Sequence, residues 1–441
     1  MRQRSGPQAA ARTRRASMGL AVALALAVGL APAAGAQETS VRGQLEYQLG
    51  YGYDQGATVE NALNLKLALE RPLGWDGKVH VGVDGRAAAV GEPSRLELDE
   101  AYVDWYTAST DWRVGRQVIN WGTADGLNPT NVINPRAPLS PAALALSSEP
   151  IRGTPVWAVQ ASYYLPSGAS LTGVGVAAFE PAPGGMDMVR AMAARLGALM
   201  GGGPLPVEDP APVPADGRQL EWAVRGDTLL GNHNVYLSYF RGWDDYPATW
   251  LEYTLVPTPD GPKPVPERIV TAYRQVHKFG LATAGTLGGA GVWTELAYTA
   301  PDAIARLDGP GALSSNEGYL EAVVGADYTF ANGVTVSGQV IYHGGGSLLS
   351  PYKSPEAGVK PQTYGLGMAR WSPEPGHQLE GILLANLRDG GVIAVGRYTY
   401  DITQAIKLIV GASHVMAGRG SEFDLVRAAA NVVTAGLEVN F

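Results

Sequence analysis

Six histidines, no cysteine, and 41 acidic side chains against 33 basic ones form the reactive inventory of this 441-residue chain. Without thiols there is no disulfide framework, thiolate metal site or cysteine nucleophile. His80, His233, His277, His343, His377 and His414 do not recur at the spacing that brings a second imidazole or a carboxylate onto one zinc ion. His343-Gly344-Gly345-Gly346-Ser347 and Ser413-His414 place a hydroxyl beside an imidazole, but neither sits in a nucleophile elbow or near a third member. The glycine run also lacks the Gly-Lys-Ser/Thr that completes a phosphate loop. Asp244-Asp245 reads as a calcium-holding pair or as an exposed loop turn. These patterns point away from an enzyme, and they call for no metal and no cofactor.

The charged residues follow another rule. Glu46, His80, Asp84, Arg86, Asp104, Glu221, Arg225, Asp227, Glu295, Glu321, Asp327, Arg397 and Lys407 occupy alternate positions in segments whose intervening residues are apolar. If the apolar face meets lipid, these groups line a wet interior of mixed sign. The bland reading is that each pairs with a neighbour on the next strand. Together they suit a passage for polar or amphiphilic solutes, and neutralising Asp84, Arg86 and Arg225 is expected to change ion selectivity.

A second cluster lies at 120–155, approached through Arg116-Gln117-Val118-Ile119-Asn120-Trp121-Gly122. Asp125-Gly126, Asn128-Pro129 and Asn134-Pro135-Arg136 impose sharp turns. Val132, Ile133, Leu139, Leu144 and Leu146 are too apolar for a loop in open water. The loop is expected to fold into the interior as a constriction, offering Trp121, Asp125, Asn128, Asn134, Arg136 and Arg152 to a passing solute. The alternative is a packed outer lid. Deleting 124–148 distinguishes them, since only a constriction leaves a higher conductance when removed.

The elements that position these groups are strands. Val41, Leu45, Tyr47, Leu49, Tyr51 and Tyr53 share one face, with Arg42, Gln44, Glu46 and Gln48 on the other. Leu63 to Leu69 and Val79 to Val83 repeat the pattern, the weak signature of a barrel strand. Eighteen segments qualify: 41–53, 57–70, 78–87, 96–106, 111–119, 156–165, 169–179, 219–230, 234–246, 267–284, 291–300, 318–330, 334–343, 363–372, 377–388, 391–401, 404–416 and 431–441. Short connections fall on one side, while 120–155, 180–218, 247–266, 301–317, 344–362 and 417–430 fall on the other. A water-soluble sandwich shares the alternation but has no cause to segregate its loops. Met188, Val189, Met192, Leu196 and Met200 sit at helical spacing within 180–218, either covering the mouth of the barrel or docking a hydrophobic ligand.

Both chain ends agree. Arg2, Arg4, Arg12, Arg14 and Arg15 precede the apolar run Met18 to Ala31 and the small residues Ala34-Gly35-Ala36, so 1–36 reads as a cleaved signal peptide and 37–441 as the barrel. Removing those five arginines leaves 28 basic against 41 acidic residues, about −13, which disfavours a nucleic-acid partner. At the other end Val433, Ala435, Leu437, Val439 and Phe441 alternate up to an aromatic terminus. This resembles the signal read by barrel assembly machinery.

Val114-Gly115-Arg116-Gln117 with Trp121-Gly122 and Asn134-Pro135, Tyr163-Tyr164-Leu165-Pro166 with Phe179-Glu180-Pro181, Ser238 to Asp245, and Val324 to Phe330 carry a likeness to known proteins. They resemble an uncharacterised porin-like family of Gram-negative outer-membrane barrels, a domain of unknown function associated with exporters. More distantly they are similar to alginate-export and specific-porin barrels. The phrases span 114 to 330. The resemblance implies movement of hydrophobic molecules across the envelope with an inner-membrane exporter.

The expected fold is therefore all-β, a transmembrane antiparallel barrel of about eighteen strands, with sixteen as the alternative, long extracellular loops and one in-folded loop. The expected location is the cell outer membrane, with its lipids as neighbours. The expected function is a pore or selective channel for small polar or amphiphilic solutes. The alternative is an export partner for lipid-like cargo.

Overall fold

Wherever the sequence alternates, the computed structural model has strand; it describes residues 39–138, 152–352 and 361–441. The leader at 1–36 and Leu139, Leu144 and Leu146 lie outside the described residues. The chain opens with β1 (Ser40–Gly52), β2 (Ala57–Pro72), β3 (Gly77–Val90), β4 (Arg95–Tyr106), β5 (Thr110–Gln117), β6 (Val156–Tyr164) and β7 (Ser170–Val176). Helix α1 (Gly185–Leu199) and the short β8 (Val207–Glu208) follow. Then come β9 (Glu221–Leu230), β10 (His233–Trp243), β11 (Ala248–Val256), β12 (Lys263–Ala272), β13 (Gln275–Leu287), β14 (Ala290–Pro301), β15 (Tyr319–Thr329) and β16 (Thr335–His343). The chain finishes with β17 (Gln362–Trp371), β18 (His377–Asn386), β19 (Val392–Asp401), β20 (Ile406–Met416), a single-turn α2 (Arg427–Ala430) and β21 (Val432–Asn440).

Eighteen of these strands form one antiparallel sheet in which each pairs with its neighbour along the chain. The sheet closes on itself: β1 pairs with β21 from Gln44↔Asn440 to Gly52↔Val432. Phe441 and Gly43 exchange backbone hydrogen bonds at 2.7 and 2.9 Å just beyond that seam. Closure leaves no sheet edge with unpaired backbone groups. All eighteen barrel strands were legible as alternating segments. Loop lengths segregate as expected, with tight turns such as 73–76, 107–109, 231–232 and 288–289 at one end.

One segment departs from expectation. The alternation through 267–284 reads as a single strand, but the chain breaks at Tyr273 and Arg274. Residues before the break form β12, which pairs with β11 in a hairpin and with β8 in parallel, making a three-stranded sheet outside the barrel. Only β13 enters the wall. Arg274 anchors the break, its Nη1 donating to the Ser315 carbonyl at 2.7 Å and its Nε lying 3.6 Å from Asp244. The connection 247–266 is accordingly a hairpin for most of its length.

The outer surface is apolar along mid-strand, with Leu49, Val114, Val224, Leu237, Val324, Val340 and Leu383 exposed. Aromatic side chains crowd its two margins. Trp105, Trp112, Tyr163, Tyr328, Phe330 and Trp371 lie toward the turn end; Tyr51, Trp157, Trp222, Tyr298 and Tyr342 lie toward the loop end. Outside the barrel wall, α1 buries Val189, Ala193 and Leu196 against Ile269, Leu313 and Tyr352, with Met186, Met188 and Met192 packed alongside. The helix thus belongs to a folded cap built on the three-stranded sheet.

Candidate functional site

After Gln117 the chain turns into the barrel instead of continuing upward. Ile119, Trp121 and Ile133 pack against inward-facing Val156, Ala158, Val174, Val176, Ala223, Phe240 and Val276. Burying each large apolar group contributes about 1.5–3 kcal/mol. Asn134 fastens the base of the loop: its Oδ1 accepts the Ile119 N–H at 2.7 Å, while its Nδ2 donates to the carbonyls of Gln117 at 3.0 Å and Thr154 at 2.8 Å. Asn131 accepts the Trp121 N–H at 3.0 Å. Gly126, at φ 82°, makes the Asp125-Gly126 turn that a side chain would strain.

The far side of the loop is tied to Glu295 on β14. That carboxylate is fully buried. It accepts the backbone N–H of Thr123, of Ala124 at 2.7 Å and of Thr130 at 3.0 Å, together with the Thr130 hydroxyl at 2.7 Å. Farther round, Ser337 on β16 donates to the Asp125 carboxylate at 3.0 Å and Gln339 to the Asp125 carbonyl at 2.6 Å. The loop leaves the fifth barrel strand and is held by the eleventh and thirteenth of eighteen, so it crosses the lumen. A carboxylate accepting several N–H groups is a strong tether because its charge is met by donors that would otherwise be orphaned.

The six residues expected in the constriction take different places. Trp121 is buried beneath the loop, with the Arg225 guanidinium 5.3 Å from its ring. Asn128 and Asn134 secure the backbone while also bordering a cavity above it. Asp125 is held by the β16 wall. Arg136 faces the cavity. Arg152 sits at the rim, donating to Asp99 at 3.0 Å and Glu100 at 3.2 Å.

The expected pore-lining residues all face inward, and most are paired across strands. Asp104 is buried under Arg113 at 2.6 Å with Lys78 at 3.7 Å. His80 meets Glu70 at 3.2 Å and stacks on Tyr102. Arg86 bonds Glu60 and reaches Asn64 at 3.0 Å. Arg225 lies 3.8 Å from Asp227, Arg397 2.7 Å from Glu380, Lys407 3.4 Å from Glu438, and Glu321 3.1 Å from His343. Glu46 stands opposite Glu438 and Asn64 in the register. Asp84 shares the partly accessible inner wall of β2 and β3 with Lys66. Glu295 is the exception, covered completely by the loop it holds.

Above the crossing loop lies a cavity of about 280 Å³, bounded by the loop, the upper ends of β13, β15 and β16, and the cap. Burial pushes the Arg136 guanidinium down from its ordinary range, against the opposing pull of Glu295, Asp245 and Glu321. Burial raises the Asp245 carboxyl to about 6, with Lys278 pulling the other way. Burial also raises the Tyr352 phenol. Sequence reading missed Lys278 and Tyr352. Running 267–284 as one strand hid the register that turns Lys278 inward beside Val276 and Gly280, and Tyr352 sits in a loop without periodicity. Asp244, singled out as half of an acidic pair, is the partner of Arg274. Among the described residues no group of three His, Asp or Glu side chains converges to hold a metal ion.

The crossing loop and its flanking strands fall within a segment that is similar to other proteins. Residues 92–183 match the family model described as "Protein of unknown function (DUF1302)". The matched stretch runs from before β4 to beyond β7, so it contains the phrases from Val114 to Pro181 noted above, whereas those at 238–245 and 324–330 lie outside it. No curated protein matches the chain by sequence. Among solved structures, the chain aligns with a loop-deletion mutant of OmpT, an outer membrane protein of Vibrio cholerae, at 10% identity and a TM-score of 0.42, covering 92% of this chain and 99% of that one. It aligns with a triple mutant of the Rh. blastica porin at 14% identity and a TM-score of 0.42, covering 92% and 100%.

Proposed function

We propose that the barrel spans the outer membrane and acts as a passive pore or selective channel, with the loop at 118–138 as its constriction. The observation that carries this reading is the tether between that loop and Glu295 across the lumen. A loop that merely covered the mouth would need no buried carboxylate on the opposite wall. The apolar outer band with aromatic margins is the surface that acyl chains and headgroups require. An outward groove of about 670 Å³ lined by Val81, Val103, Val114 and Trp157 suits acyl chains and would be costly in water. Inside, the crossing loop leaves the charged inner wall of β1–β4 partly accessible, giving solute a wet flank.

Liposome swelling with small sugars and amino acids tests this. Rapid swelling that depends on solute size supports a pore. A barrel that leaves liposomes tight and co-purifies with bound lipid would instead support the alternative, an export partner for lipid-like cargo working with an inner-membrane transporter.

A further inference from the structure

The last loop, 417–431, has the length of an outer loop, yet its side chains pack into the barrel. Phe423 is fully buried, its ring centroid 6.2 Å from that of Tyr364, in one cluster with the inner-wall residues Leu384, Ile393 and Val415. Glu422 accepts hydrogen bonds from Ser347 at 2.5 Å, Tyr364 at 2.6 Å and Asn386 at 2.7 Å. At the far end of the loop, Asn431 accepts the Val415 N–H at 2.7 Å and donates to Asp54 at 2.6 Å, and Gln55 donates to the Ala428 carbonyl at 3.0 Å. The loop is therefore fixed from β17 to the β1–β2 turn, over the inner faces of the strands between them.

The two in-folded loops cover different arcs of the wall. The crossing loop packs on β6, β7, β9, β10 and β13 and is tied to β14 and β16. The last loop covers β17 to β21. Along both arcs the inward side chains beneath the loops are sealed: Val176, Val276, Val323, Tyr364, Ile393 and Val432 are at most 2% exposed. A wall closed by apolar side chains holds no water and passes no dissolved solute. The inner face of β2 to β4 differs. Lys66, Asp84 and Glu97 are cross-strand neighbours there, none of them is buried, and the Glu97 side chain is 65% exposed.

We infer that the last loop is a second constriction element, and that the two loops together confine solute to the strip along β2 to β4, where it passes Asp84 and Glu97. Glu422 is then a positioning residue for the passage, as Glu295 is for the crossing loop. The inference deepens the pore reading by naming the wall that determines its selectivity, and it rests on that reading for transport.

The chain has no native cysteine, so covered and open arcs are separately measurable: a thiol reacts only where water and reagent reach it. Asp84→Cys and Glu97→Cys place a thiol on the open strip, Ile393→Cys under the last loop and Val323→Cys behind the crossing loop. Each purified full chain is treated in detergent with a sulfonated methanethiosulfonate, and the added mass is followed over time. Heat-dependent mobility on denaturing gels reports whether each variant has folded. Asp84→Cys and Glu97→Cys are expected to react at least tenfold faster than the other two, and their modification should lower the current in planar bilayers. Adding Glu422→Ala should speed Ile393→Cys several-fold and leave Val323→Cys slow. Equal rates at Ile393→Cys and Asp84→Cys in folded barrels, or an Ile393→Cys rate that ignores Glu422→Ala, would overturn the second constriction. Slow reaction at both Asp84→Cys and Glu97→Cys would overturn the open strip. Fast reaction at those two positions with silent bilayers would refute the pore reading and leave the two-loop arrangement standing.

Discussion

Asp245 is the residue whose protonation the structure makes consequential. Its carboxyl titrates near 6 rather than near the ordinary 3.9 because burial disfavours the charged form, with Asp244 adding to the shift and Lys278 and Arg136 opposing it. The folded state therefore holds this proton more tightly than the unfolded chain does. The resulting stabilisation is fully present below about pH 4 and is lost as pH rises through 6. Lowering the pH from 7.5 to 5.5 protonates the carboxyl and so removes a negative charge from the vestibule. Anion preference, read as reversal potential under a salt gradient, should rise over that interval, and should rise by less in Asp245→Asn. Reversal potentials that move identically in both proteins would assign the titration elsewhere. The chemistry of this residue was half legible: the Asp244-Asp245 pair stood out, but only the fold shows that both line the cavity and that Asp244 lies beside Arg274.

At the scale of elements, the crossing loop is fixed at several points on both walls. Among the residues that hold it, Asn134 and Glu295 were visible as polar groups, yet Asn134 binds backbone on both sides of its own loop and Glu295 meets a loop more than a hundred residues away. Alternation along a strand reports which way a side chain points but not what lies in front of it. That is why Glu295 was legible as inward-facing and its complete burial was not. Trp121, expected to meet a passing solute, is buried instead, and its burial was hidden for the same reason. The chain offers a clean test because it contains no native cysteine. Asp125→Cys with Ser337→Cys should form a disulfide under mild oxidation, detected as a mobility shift on non-reducing gels, since those side chains already meet at 3.0 Å. Conductance should be the same before and after oxidation, because the cross-link holds the loop where it already rests. Failure to cross-link in a folded barrel would place the loop elsewhere. The misread segment at 267–284 teaches a related lesson. Two strands separated by a two-residue break keep the same alternation, so periodicity alone cannot separate a wall strand from a hairpin standing above it.

For the whole molecule, strand count, loop polarity and the inward or outward face of almost every charged residue followed from period-two alternation. A barrel imposes that period uniformly around its circumference. The folded cap did not follow, because α1 and the β8, β11 and β12 sheet join segments far apart in sequence through apolar contacts that no local pattern specifies. The interior is also drier than a simple tube. Tyr364, Phe423, Ile393 and Val415 pack together inside the upper barrel, and Glu422 of the last loop accepts hydrogen bonds from Tyr364 at 2.6 Å and Asn386 at 2.7 Å. Glu422→Ala should therefore loosen the last loop and lower the unfolding temperature in detergent, by the equivalent of about 1–3 kcal/mol for stranded donors, while the barrel itself stays closed.

The central claim is that solute crosses a barrel narrowed by a loop whose hold is Glu295. Single-channel recording of the wild-type protein and Glu295→Ala in planar bilayers addresses it directly. Wild type should give discrete, modest current steps, and the variant, with the Thr123, Ala124 and Thr130 donors released, should give larger and noisier ones. Silent wild-type bilayers, or steps of equal size from a folded variant, would contradict it.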